Sequence, residues 1–578
     1  MAAMDSERFS DFLWWVRQLA IASLTLFFFV EGIFVLIRAY EADNPLIFIM
    51  LFFSSNLIIL ISAAGFLYPV LKVFRRLRGK DVLAVLLLLV PLLFPLAGQG
   101  ATGAIDLDRT VHRYTLPNGL RLLVAERRIS PTVSCYIRYK DGSVDEREEY
   151  SGTAHFLEHL LFKGTETIGT TDWNRERKLL AAIEELSGRL DDERKRGAAG
   201  DRKKIEDLEG RLRALEEESA SLVTANEIDL LYTESGAVDL NASTGCDLTT
   251  YHVSLPANRL ELWARIEADR MADAVFREFR KERQVIEEER RQTVESVPER
   301  MLTELFLGTA FLSHPYRRPI IGWPSRIPFL DIRYVRDFYR TYHVPDNAVV
   351  AVVGDVDPGR VLSVVTRYFG AVPARELPPG EMAGESAQAG ERRAEYVGGA
   401  NGKLLVGYHK PTLPSPDDTV FDLIDVILTG GRTSRLHRIL VEEKEVASSI
   451  ESTSAFPGVR YPNLFVFFAS PRAPHGTAEL EAALLAELER LRREPVTDRE
   501  IEKAKNIYRA QLLREMSTNE GFASLLSYFE IIAGDFRYLS KQLEAMEKVT
   551  ADDIRRVAAA YFVEKNRTVA VLKGKETP

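Results

Sequence analysis

The chain has 578 residues, with 75 Lys and Arg against 84 Asp and Glu, for a formal net charge of −9. That length exceeds a single hydrophobic core and fits two domains of about 200–240 residues plus additional segments. Arg-rich stretches alternate with Glu and Asp, so no basic groove for nucleic acid is indicated. The two cysteines, Cys135 and Cys246, both fall in predicted strands, belong to no metal-ligand cluster, and are compatible with either a disulfide or buried free thiols.

Residues 14–37, 46–70 and 82–97 are strongly apolar, and the first two are long enough to span a bilayer at about 1.5 Å per residue. The third follows Arg75, Arg76, Arg78 and Lys80 and ends in the small residues AGQGATGA at 97–104, which is the pattern of a signal peptide. Two constructions are open. Either three spans anchor the chain with the basic stretch 72–80 on the cytoplasmic side, or the segment after residue 80 is the true or cleaved N-terminus. Both make residues 1–100 membrane segments and place the remainder on the extracytoplasmic (periplasmic) side of the cell membrane. Membrane transport is disfavoured because runs of mainly Leu and Phe supply no polar pathway.

The run His155-Phe156-Leu157-Glu158-His159 puts two imidazoles and a carboxylate on one face of a helix. Positions i and i+4 let both rings reach one Zn²⁺, and Glu158 is placed to act as general base on a metal-bound water; this is the inverzincin order of the zinc-peptidase motif. Gly152 and Thr153 offer a helix start, Gly164 a stop, and Phe156, Leu157, Leu160, Leu161 and Phe162 an apolar surface.

Leu179, Ile183, Leu186 and Leu190, then Ile205, Leu208, Leu212 and Leu215, recur at helical spacing on either side of RGAAG at 196–200. They predict an antiparallel helical hairpin inserted at 174–222, a tolerated surface insertion or a clamp for a partner or substrate. Residues 238–253, VDLNASTGCDLTTYHV, alternate as a strand at the edge of a cleft. The charged helix FRKERQVIEEERRQT at 279–293 carries Glu282 and Glu289 seven residues apart, nearly two turns and hence one face. A catalytic zinc wants a third protein ligand, for which Glu289 is the candidate with Glu287 and Glu288 as alternatives; Glu282 is positioned to orient a histidine.

These stretches, with TLPNGLRLLV at 115–124, TAHFLEHLLFKGT at 153–165, HPYRRPIIGWPSRIPFL at 314–330 and FYRTYHVPDNAVVAVVGDV at 338–356, resemble the pitrilysin or insulinase-like zinc metallopeptidases. The similarity covers roughly residues 107–570 and falls in the branch that includes the mitochondrial processing peptidase and bacterial zinc peptidases. It implies one Zn²⁺ per chain held by His155, His159 and Glu289, Glu158 as general base, Glu282 in support, and Asn241 and Ala242 at the position that contacts substrate backbone. The implied fold is α+β: two homologous two-layer α/β domains, each a mixed or antiparallel sheet plus helices, of the type shared by LuxS and the processing peptidases, preceded by transmembrane helices.

On this reading residues 107–335 are the zinc-binding domain and 336–374 its crossover and end. Residues 375–396, rich in Pro, Gly, Ala and Glu, are a linker, and 397–570 a second domain without zinc. Active members of the family need an arginine and, seven residues on, a tyrosine from the C-terminal half; here those positions hold Val441 and Ser448. The resemblance therefore implies a heterodimer with a homologous subunit that supplies the Arg/Tyr pair, unless Arg432, Arg435 or Arg438 substitutes. The expected function is zinc-dependent hydrolysis of peptide bonds in unfolded or extended polypeptides. The alternative is a non-catalytic or weakly active peptide-binding subunit of a membrane-associated complex.

Overall fold

The computed structural model describes residues 6–40, helical positions 54–55, 57–63, 65–66, 68–69 and 72, and residues 107–378, 384–399 and 401–574. The chain divides into two units, Met1–Gly103 and Ala104–Pro578.

In the first unit a helix runs from Ser6 to Tyr40, and its stretch Trp14–Gly32 is long and apolar enough, by length and composition, to cross a membrane. Leu19, Leu24 and Phe27 on that helix are exposed. A Cβ on Gly32 would stand 2.8 Å from Ile59 Cγ1, and one on Gly65 2.7 Å from Thr25 Cγ2, so glycine permits close approach of the helical residues. The second apolar run is described only in part, and the third lies outside the described residues.

The second unit is built on two sheets. The first has six strands: β1 (Val111–Thr115), β2 (Arg121–Glu126), β3 (Thr132–Tyr139), β4 (Val238–Thr244), β5 (Thr249–Pro256) and β6 (Ala348–Gly354), in the order β1-β2-β6-β3-β5-β4. The second has five: β7 (Arg392–Val397), β8 (Lys403–Lys410), β9 (Ala447–Phe456), β10 (Asn463–Pro471) and β11 (Arg567–Lys573), in the order β7-β11-β8-β10-β9. In each sheet one pair is parallel, β2 with β6 and β7 with β11, and the other pairings are antiparallel. The all-buried run AVVAVVG of β6 is what a central strand covered on both faces requires.

Two α/β domains result, as the resemblance implies, but they are not two separate stretches of chain. The helix Pro298–Ala310 packs on β7, β8 and β11 of the second sheet, where Leu302, Phe306 and Ala310 join Leu405, Val466 and Ala570 in one core. Reciprocally, the helix Asn519–Ala533 packs on β3 and β6 of the first sheet, joining Phe522, Leu526 and Phe529 to Tyr136, Val349 and Val353. Each sheet thus has one face covered by a helix from the other half, an arrangement that contiguous apolar patterning cannot reveal. β7 begins at Arg392, inside the stretch read as linker, because RRAEYV adds to β11 by parallel pairing.

Between the motif and β4, the helices Trp173–Lys195 and Arg202–Ala220 pack antiparallel through Leu186, Leu190, Leu208 and Leu212. Asp172 and Asp201 cap them by accepting from Arg175 N and from Lys203 N and Lys204 N. Buried Arg277 ties the first of these helices to the domain, pairing with Glu176 at 2.8 and 3.0 Å while donating to the carbonyls of Lys163, Thr165 and Ile168. Arg336 adds a second tie through both oxygens of Glu184. Both cysteines are buried free thiols; Cys135 lies in β3, whereas Cys246 sits in the β4–β5 turn rather than in a strand.

Candidate metal centre

The motif forms the helix Thr153–Leu160, and its residue types explain its placement. Gly152 adopts φ of 97°, and a Cβ there would lie 2.7 Å from Ile321 O, so only glycine lets the chain enter the helix here. Buried Glu146 accepts from the backbone N–H of Gly152 at 2.9 Å and of Ala154 at 2.7 Å, placing a carboxylate at the positive end of the helix. Even so, burial outweighs those bonds and pushes its carboxyl up to about 8. Phe156, Leu157 and Leu160 are buried, which leaves His155, Glu158 and His159 on the half-exposed face.

The second element is the helix Phe279–Arg290. Its Ile286 is fully buried, Phe279 meets Phe156 with ring centroids 4.8 Å apart, and Arg283 donates to Leu330 O at 3.2 Å. With that side fixed, Glu282 and Glu289 both meet the motif helix. Glu289 Oε1 lies 3.6 Å from His155 Nε2, and Glu289 Oε2 lies 3.4 Å from His159 Nε2. The three residues offer ligand atoms all within 4.8 Å of one another. Glu289 Oε2 is a buried oxygen without a hydrogen bond, as expected of a group awaiting a ligand. Two imidazoles and one carboxylate are a donor set that a catalytic zinc takes, with a further position left for water or substrate.

Glu282 does not join that set. Its Oε1 contacts His159 Nδ1 at 2.9 Å, and its Oε2 pairs with Lys163 at 2.6 Å. Those two contacts overcome the cost of burial and draw the Glu282 carboxyl down to about 2. Burial and the neighbouring His159 push the His155 imidazole down to about 3, keeping it neutral and able to coordinate. For His159 burial acts downward, but the bond to Glu282 and the charges of Glu282, Glu289 and Glu158 win and raise it. Burial raises Glu158 and Glu289 alike, against the hydrogen bond from Thr244 in the first case and against His159 in the second.

Of the alternatives left by the sequence, Glu287 is exposed and Glu288 accepts from Gln292, so Glu289 alone of the three joins the histidines. Asn241 and Ala242 lie on β4, the open edge of the first sheet. Ala242 sits on the half-buried face and Asn241 on the exposed one, with the Ala242 N–H donating to Asn241 Oδ1 at 2.9 Å. Val441 packs on the second domain's core, and Ser448 Oγ donates to Ser470 O and Pro471 O at the start of β9. Arg435 pairs with Glu500 at 2.8 Å and Arg438 stands 3.6 Å from Glu443, while Arg432 is exposed.

Three residues of the site escaped the sequence reading: Glu146, Lys163 and Thr244. Thr244 Oγ1 donates to Glu158 Oε2 at 2.5 Å. A threonine two residues past Ala242 shares its face of the strand, and that parity was the one available signal.

A family model described as insulinase, peptidase family M16, matches residues 122–194, and one described as the peptidase M16 inactive domain matches residues 330–508. The chain is 26% identical over 467 residues to the zinc protease PqqE of Helicobacter pylori, covering 79% of this chain and 92% of that protein. It is also 26% identical over 459 residues to an uncharacterized zinc protease of Streptomyces coelicolor, covering 78% of this chain and 86% of that one. A solved structure of a protease from Helicobacter pylori matches with a TM-score of 0.67 at 25% identity, over 80% of this chain and 99% of that one.

Proposed function

This chain belongs to the insulinase (M16) family of zinc peptidases, and from that premise we propose that it is an endopeptidase that cleaves unfolded or extended polypeptides. His155, His159 and Glu289 hold one Zn²⁺. The observation that carries the reading is the convergence of both Nε2 atoms on the Glu289 carboxylate while Glu282 engages the other nitrogen of His159.

When bound, zinc supplies Lewis-acid polarisation of a water and of the scissile carbonyl. Glu158 takes the proton from the attacking water and returns it to the leaving amine, so no covalent enzyme adduct forms. Glu282 accepts the Nδ1–H of His159, which fixes that ring's tautomer and presents Nε2 to the metal. An extended substrate adds to the open edge at β4 by main-chain hydrogen bonds. The Ala242 N–H is already held by Asn241 Oδ1, so an arriving strand that uses this donor has to displace that amide.

With Val441 and Ser448 at the family's Arg/Tyr positions, a homologous subunit supplies the pair that steadies the developing oxyanion. The apolar helix Trp14–Gly32 attaches the enzyme to the cell membrane, with the peptidase domains on the extracytoplasmic side. Val441 and Ser448 also favour a second reading, a weakly active or non-catalytic peptide-binding subunit of a membrane-associated complex.

Hydrolysis of an unstructured fluorogenic peptide by the zinc-loaded full chain, alone and with a homologous chain bearing the Arg/Tyr pair, tests both readings. Turnover in the mixture only is the expected result. Turnover by the chain alone removes the need for a partner, and silence in both supports the binding subunit.

A further inference from the structure

Glu158 makes one side-chain hydrogen bond among the described residues, and its partner comes from the strand on which substrate is proposed to lie: Thr244 Oγ1 donates to Glu158 Oε2 at 2.5 Å. A glutamate on a short helix has three side-chain torsions to settle, and a base that samples several rotamers faces the reacting water only part of the time. Binding one carboxylate oxygen removes that freedom and leaves Oε1 as the oxygen available to the water's proton.

The donor itself is well fixed. Thr244 is β-branched and therefore stiff at χ1, and it is registered against Thr249 at the end of β4. The turn that follows is pinned: Gly245 N donates to Leu248 O at 2.9 Å, and Ser143 N and Val144 N donate to the carbonyls of Gly245 and Cys246. Gly142 packs so tightly on this turn that a Cβ there would lie 2.4 Å from Cys246 O. The hydroxyl is therefore held in place at the end of the edge strand.

Resting on the peptidase reading above, we infer that Thr244, on the edge strand where substrate is proposed to lie, is a positioning residue for the general base, Glu158. Among the described residues Thr244 has no hydrogen bond to His155, His159 or Glu289, and its bond is to the Glu158 oxygen opposite the one left for the proton. It acts on the free carboxylate rotamer, so its loss falls on kcat, whereas loss of an edge contact falls on KM.

The test compares Thr244→Val, which keeps the shape and loses the donor, with Thr244→Ser, which keeps the donor. In the full chain under conditions where the wild type turns over, Thr244→Val is expected to hold one zinc, to leave KM within about two-fold and to lower kcat on the order of 100-fold, the cost of misplacing a catalytic group by about 1 Å. Thr244→Ser is expected to restore kcat to within about five-fold of wild type, since it retains the charge-assisted hydrogen bond. Unchanged kcat in Thr244→Val, or an equal loss in Thr244→Ser, overturns the inference.

A readout independent of turnover separates this failure from failure of the peptidase reading. Thermal midpoints of the metal-free wild type, Thr244→Val, Glu158→Gln and the double variant should be non-additive if the hydroxyl holds the carboxylate. Additive shifts in an active enzyme overturn the inference alone. An inactive wild type with coupled midpoints leaves the contact standing and overturns its catalytic use.

Discussion

The two sheets of the peptidase unit follow one plan, and among the described residues only the first carries a His/His/Glu cluster that could hold a metal. The order β2-β6-β3-β5-β4 is repeated as β7-β11-β8-β10-β9, with the parallel pair in the same place and an open edge strand at the same end. In each, a helix follows the second of these strands in chain order and meets the edge: Thr153–Leu160 meets β4, and Pro416–Thr429 meets β9. In each, an acid on that helix accepts from a hydroxyl on the edge strand, Glu158 from Thr244 and, in the second sheet, Asp425 from Ser452 and Asp422 from Ser454, all at 2.5 Å. The link between helix and edge is thus a feature of the fold. What the first domain adds is His155 and His159 one turn apart and a second helix that brings Glu289 to them; PDDTVFDLIDVILT carries no histidine.

Removing the base breaks this comparison most sharply. Glu158→Gln retains the shape of the side chain and leaves the metal ligands in place, so zinc content should stay at one per chain while kcat falls about 1000-fold or more. Metal analysis beside peptide turnover checks it. Loss of zinc together with activity would assign Glu158 to coordination or folding instead. Asp425→Asn, the corresponding change in the second domain, should leave kcat within about two-fold.

The hairpin is a further asymmetry, and it is fastened by a charge pair that water barely reaches: the side chains of Arg277 and Glu176 are 1% and 0% exposed. Glu176→Ala strands a buried guanidinium, which typically costs about 3–5 kcal/mol. A drop in the thermal midpoint of the zinc-loaded chain of less than about 2 °C would show that the hairpin's base is not part of the cooperative unit. Deleting the hairpin while retaining the Arg277 pocket would not make this distinction, because the orphaned cation remains.

Glu282 tests a finer point, that a carboxylate not coordinating the metal still governs it. Glu282→Gln keeps an acceptor for His159 but loses the charge, and zinc affinity should fall about 10–100-fold, read by competition with a chelator. An unchanged affinity would reduce Glu282 to a partner of Lys163, 2.6 Å from its Oε2.

How far the sequence reached follows from the range of each interaction. His155, Glu158 and His159 lie within one helical turn and a fixed motif, and Glu282 and Glu289 share a face at a spacing of seven, so local periodicity exposes them. Choosing Glu289 over Glu287 and Glu288 needed the family resemblance, and the geometry supports the same choice, since only Glu289 meets both rings. The exchange of Pro298–Ala310 and Asn519–Ala533 between sheets was invisible: each is an ordinary amphipathic helix whose apolar face is the same whichever sheet receives it. Thr244, Glu146 and Lys163 were missed for a related reason. They are common residue types whose meaning comes from partners 86, 6 and 119 positions away.

The smallest effect concerns Asp425, one of the three hydroxyl-bound acids, and is read by pH. Burial foremost, with the charge of Asp422 added and the bond from Ser452 opposing, pushes the Asp425 carboxyl from 3.8 to about 7. A folded-state value above the unfolded one means that the folded protein binds this proton more tightly. The resulting stabilisation is fully present below about pH 4 and is lost as pH rises through 7. Asp425→Asn removes that dependence, so it should stabilise the chain by on the order of 1–2 kcal/mol at pH 8 and by much less at pH 5. Thermal midpoints at the two values give the answer directly. A difference of the opposite sign would mean that Asp425 is held ionised, and that the second domain's acid, like Glu282 beside His159, answers to a cation rather than to burial.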